Sequence, residues 1–178
     1  MKHILAAAAL ALPLITGSQA LAHATFAEGE MVQGQTTRLT LRVPHGCSGE
    51  ATLRVRISIP DGLAGVQPMV HPGWDLETVT GPLAAPYTSH GNTVTEGVRE
   101  IIWSGELPAQ FYDEFVFRAV ATDQIPAGET LYIPVVQECA NGAERWIEIP
   151  AEGQDSHDLE GPAPGIMVVP AGHDGHDH

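Results

Sequence analysis

Residues Ala51 to Ile59 alternate in character: Leu53, Val55, Ile57 and Ile59 point one way, and Arg54, Arg56 and Ser58 the other. A period of two is the pattern of a strand with one buried face. Similar runs occur at Thr36 to Val43, Trp74 to Val79, Val98 to Trp103, Glu114 to Ala121, Thr130 to Val136, Glu144 to Ile149 and Gly165 to Val169. Turn chemistry separates them, as at Pro60-Asp61-Gly62, His71-Pro72-Gly73, Pro126-Ala127-Gly128 and Asn141-Gly142. No stretch after residue 22 carries a sustained 3.6-residue apolar stripe. Short strands with frequent Gly and Pro predict an all-β chain, folded as a single antiparallel β-sandwich of immunoglobulin-like type.

Asn141-Gly142 is the strongest local signal, because both residues tolerate the positive φ angles of a type I′ hairpin turn. A two-residue turn there sets Cys139 opposite Glu144 and Gln137 opposite Trp146. Cys139, Glu144, Trp146 and Glu148 then share one face, and Glu138 and Arg145 share the other as a cross-strand ion pair.

The start of the chain reads as an export signal over residues 1–22. Lys2 and His3 give a short basic start, Ile4 to Ile15 an apolar run, and Ala20 and Ala22 a small-residue cleavage pattern. The run is shorter than the roughly 20 residues that span a bilayer, so the mature chain is expected to have no transmembrane segment. Cleavage after Ala22 makes His23 the first residue, with a free α-amine and an imidazole available to one metal ion. An ordinary α-amine has a pKa of about 7.7–8.0 and an unperturbed imidazole about 6.5, so near neutral pH a metal displaces few protons from such a pair. Cu(II) favours tetragonal nitrogen and oxygen sites and heads the divalent affinity order. Cleavage after Ala20 instead places histidine third, which also chelates Cu(II), through backbone nitrogens. A chance N-terminal histidine is the competing reading.

The net charge is −14, one unit more negative without Lys2, and the remaining cations are seven arginines. That balance excludes nucleic acid as a partner, since phosphate neutralisation needs a basic surface. Cys47 and Cys139 predict one disulfide in an exported chain, with a pair of copper thiolates as the alternative. The domain is expected over residues 23–170. Residues 171–178 form a tail whose His173, His176 and His178 can collect metal weakly, and the tail itself is expected to be disordered.

In order along the chain come His23-Ala24-Thr25, Val43-Pro44-His45-Gly46-Cys47, Ile59-Pro60-Asp61-Gly62, Pro72-Gly73-Trp74, Tyr112-Asp113-Glu114-Phe115, Val136-Gln137-Glu138-Cys139, Trp146-Ile147-Glu148-Ile149-Pro150 and Gly153-Gln154-Asp155. This series resembles the YcnI-like copper-binding proteins over nearly the whole mature length. The resemblance implies an immunoglobulin-like or cupredoxin-like sandwich outside the cytoplasmic membrane. It also implies a monohistidine brace, in which the first histidine holds Cu(II) through amine and imidazole, with a glutamate ligand and a nearby tryptophan. His23 matches the brace histidine and Trp146 the tryptophan. The glutamate has no single match: Gln67 stands where an acid is wanted, leaving Glu148, with Glu138 and Asp113 as other options. Each also reads as a surface carboxylate.

His45 reads as a turn residue near the disulfide or as a ligand; His71 faces either the site or solvent; Trp74 and Trp103 read as core. The function expected is a periplasmic or extracytoplasmic Cu(II)-binding protein, not an enzyme, that buffers copper or delivers it to a membrane copper transporter or chaperone. The alternatives are a copper-dependent oxidative enzyme and a metal-free adhesion or accessory sandwich. Ser156-His157-Asp158 are adjacent in sequence, and adjacency makes no catalytic triad.

Overall fold

The computed structural model describes residues 23–172. The export segment and the tail histidines His173, His176 and His178 lie outside the described residues. Twelve strands follow in order: β1 (Thr25–Phe26), β2 (Glu30–Val32), β3 (Thr36–Val43), β4 (Thr52–Ser58), β5 (Leu63–Pro68), β6 (Asp75–Ser89), β7 (Asn92–Leu107), β8 (Asp113–Ala121), β9 (Thr130–Tyr132), β10 (Val135–Cys139), β11 (Ala143–Trp146) and β12 (Gly165–Val169). One 3₁₀ turn, Ser156–Asp158, precedes β12.

A four-stranded sheet in the order β1-β3-β8-β5 and a five-stranded sheet in the order β11-β10-β4-β7-β6 form the layers of a sandwich. A small β2-β12-β9 sheet carries the parallel pair β2–β12; the other ladders are antiparallel. Alternation buries Leu39, Leu41 and Val43 of β3 against Val55 and Ile57 of β4, with Trp103, Phe115 and Phe117 filling the middle. Each large apolar side chain enclosed in this way contributes about 1.5–3 kcal/mol.

The sequence pattern and the structure diverge where the ladder shifts. Leu53 is exposed and Thr52 buried, because a β-bulge between Thr52 and Arg54 changes the phase of β4. The run Thr130 to Val136 splits at Ile133-Pro134 into β9 and β10, which belong to different sheets. Neither Asn141 nor Gly142 has positive φ. The last β10–β11 pair is Glu138 with Ala143, and Cys139 N–H donates to Gly142 O, so four residues close this hairpin. The Glu50 carboxylate takes both the Asn141 N–H (2.9 Å) and its Nδ2 (2.7 Å), drawing Asn141 away from the expected turn. Paired positive φ angles occur instead at Ser48-Gly49 and His90-Gly91, where two residues separate Cys47 from Glu50 and Ser89 from Asn92.

The observed register sets Gln137 opposite Glu144 and Val135 opposite Trp146. Because the offset is two residues, the faces stay as expected although the partners change. Arg145 faces Val136, so the expected Glu138–Arg145 pair does not form. Glu138 binds Arg54 (3.1 Å) and Arg56 (3.0 Å) on neighbouring β4 instead. Cys47 and Cys139 form a disulfide across 92 positions.

Candidate metal centre

The chain enters the core one residue after His23. Ala24 and Phe26 are buried, and β1 is pinned by pairing of Thr25 with Arg42 and Phe26 with Leu41. This anchorage leaves the His23 ring at the end of β1, with its centroid 5.7 Å from that of the Trp146 indole. The His23 Nε2 is buried and, among the described residues, has no hydrogen-bond partner. Such atoms are rare, since leaving one unsatisfied costs about 1–3 kcal/mol.

Trp146 is itself oriented from behind. It is 3% exposed, and its Nε1–H donates to Gln137 Oε1 at 3.4 Å. Gln137 is wholly buried and donates through Nε2 to Thr52 Oγ1 (2.7 Å) and to the His45 carbonyl. His45 lies two residues before Cys47, so the disulfide, His45, Gln137, Trp146 and His23 form one continuous chain of contacts. The expected hairpin already sets Gln137 opposite Trp146 but does not show its burial or its bonds, because a polar residue between Val136 and Glu138 resembles any strand position. Its signal is alternation: it occupies the inward parity of β10 with Val135.

The expected carboxylates are less closely gathered. Glu138 lies on the sheet face opposite Trp146, and its bonds to Arg56 first and then Arg54 hold its carboxyl below the ordinary range, while the Arg56 guanidinium is raised in turn. It is therefore an ion-pair residue of the outer face. Glu148 lines a pocket of about 350 Å³ with Trp146, and its Oε2 accepts the Gly161 N–H at 2.7 Å. Asp113 pairs with His71 (3.0 Å), and Gln67 accepts from Arg118 Nε (2.8 Å). The His71 ring sits 5.1 Å from Phe115 and 6.0 Å from Trp74. Among the described residues no three His, Cys, Asp or Glu side chains converge.

His23 lines a different pocket, of about 510 Å³, together with Glu28, Tyr132, His157 and Met167. Glu28 is committed there, accepting from Thr40 N–H (2.7 Å) and Thr40 Oγ1 (2.8 Å). The sequence shows His157 only as the neighbour of Ser156 and Asp158 and does not connect it with His23. Chemically, the first described residue offers nitrogen donors: an imidazole fixed on an indole and, when its amine is free, a second nitrogen that closes a chelate.

Residues 23–168 match a family profile described as a domain of unknown function, DUF1775, the name borne by the YcnI-like family. A crystal structure of an uncharacterized protein from Nocardia farcinica, described as revealing an immunoglobulin-like fold, is similar with a TM-score of 0.59. It shares 21% identity over 83% of this chain and 98% of its own. At that distance the likeness shows the fold. No curated protein matches the chain. No helix among the described residues is long and apolar enough to cross a membrane.

Proposed function

From its membership of the DUF1775 family, to which this chain belongs, and from the setting of His23, we propose an exported Cu(II)-binding protein that acts in copper buffering or delivery and not as an enzyme. The carrying observation is the His23 imidazole, held on Trp146 with Nε2 buried and unpartnered among the described residues. Nδ1 is the ring nitrogen nearer the main chain in any histidine, so an α-amine freed by cleavage after Ala22 would close a six-membered chelate with it while Nε2 stays enclosed. Cu(II) fits this donor set, because it prefers a plane of nitrogen and oxygen ligands. The protein's own contribution is to fix the ring before the ion arrives.

A periplasmic or other extracytoplasmic location agrees with the Cys47–Cys139 disulfide, since such bonds persist in oxidising compartments. A site at the end of a short edge strand lets ligands exchange with a membrane copper transporter or a chaperone. Titration of Cu(II) into protein beginning at His23, against a variant with one residue added before it, tests the reading. The extended variant is expected to lose affinity by roughly a hundredfold or more, beyond the tenfold to hundredfold typical of losing an outer-shell partner. Equal affinities would reject the brace.

A further inference from the structure

We propose that His157 is a further copper ligand of this chain, supplying a third nitrogen to the ion that His23 grips; the inference rests on the copper reading above. His23 and His157 both line one pocket of about 510 Å³. His157 occupies the middle of the 3₁₀ turn Ser156–Asp158, whose N-cap Asp155 accepts the His157 N–H at 2.9 Å. Backbone bonds from Asp158 N–H to Asp155 O and from Leu159 N–H to Ser156 O close the turn. The main chain of His157 is thus held in place. Its side chain is exposed and makes no hydrogen bond among the described residues.

The competing oxygen donors are engaged. Glu28, the carboxylate on this pocket's wall, is spent on Thr40. Glu148 faces another pocket and binds the Gly161 N–H, while Glu138 is neutralised by two arginines. Amine and Nδ1 of His23 fill two positions of a tetragonal plane, and a neutral imidazole is the commonest protein ligand for a third. Asp155 and Asp158, either side of His157, add negative potential that favours a cation.

The test uses the full mature chain starting at His23, tail included, so that the tail histidines contribute equally to every sample. Cu(II) alone is the probe, read by competition against a chelator and by electron paramagnetic resonance. His157→Gln is expected to weaken Cu(II) binding by roughly tenfold or more, at least what losing an outer-shell partner costs. It is also expected to remove one nitrogen's hyperfine coupling, and to leave the metal-free melting curve unchanged. Unaltered affinity and hyperfine pattern in His157→Gln, with binding still lost when a residue is added before His23, would overturn this inference alone. Full binding by the extended variant would overturn the copper reading, and this inference with it.

Discussion

Among the described residues two histidines rest beside tryptophans, and they are built differently. His71 packs against Trp74 and Phe115, and its Nε2 meets the Asp113 carboxylate at 3.0 Å. Asp113 is in turn fixed by the Glu114 N–H at 2.8 Å. His23 packs against Trp146 with its Nε2 buried and unmatched. In the first arrangement Nε2 is paired within the protein, so its imidazole serves the fold. The second has a polar atom with nothing to satisfy it, and its indole is braced by buried Gln137.

Exchanging the two rings for alanine should separate these roles most sharply. His23→Ala is expected to lower Cu(II) affinity by roughly a hundredfold or more, while His71→Ala leaves it within about twofold, as measured by chelator competition. Equal losses from both would erase the distinction. His71→Ala is expected to cost about 1–3 kcal/mol of folding stability, because it leaves Asp113 without its partner.

Reducing the Cys47–Cys139 disulfide comes next. In the chain-entropy account a closed loop of this length is worth about 4–5 kcal/mol, seen as a lower urea midpoint in reductant. The loosening should reach Trp146 before Trp74, since His45 and Gln137 link the bridge to Trp146. Indole hydrogen exchange resolves the two, and simultaneous loss of protection would contradict that link. Trp146→Phe removes the bond to Gln137 at a cost of about 1–3 kcal/mol, and it is expected to weaken copper binding too. Trp74→Phe should affect stability alone.

Glu138→Gln has the smallest expected effect. The arginines depress the folded-state ionisation of Glu138 below its unfolded value, so the stabilisation is fully present above the ordinary carboxylate range and is lost as pH falls through the depressed value. Roughly 1 kcal/mol should separate the variant from wild type near neutrality and vanish in strong acid, read by denaturant titration. Copper affinity should not move. A large loss of copper binding would return Glu138 to the ligand set.

Strand content was legible because alternation is local: each inward Val or Ile of β4 announces its own burial. Partnering was not, because it depends on interactions between distant residues. Asn141-Gly142 carries the best turn signal in the chain, yet the Glu50 carboxylate recruits Asn141 and a longer loop results. His90-Gly91 forms a turn with positive φ at both residues beneath a plainer sequence. For the site, the juxtaposition of His23 and Trp146 was expected from family resemblance, whereas the separation of Glu138 from it required knowing that two arginines of β4 lie alongside. His157 was invisible because only the folded turn brings it to the pocket beside His23.

The packing of Ala24 and Phe26 gives the copper reading a further consequence. Only a single peptide bond lies between the atom that would bind metal and the first side chain sealed inside. On that reading folding and arming would be separate events: a chain still carrying residues 1–22 could assemble the sandwich but would lack the α-amine at His23, and cleavage after Ala22 would supply it without repacking Ala24 and Phe26.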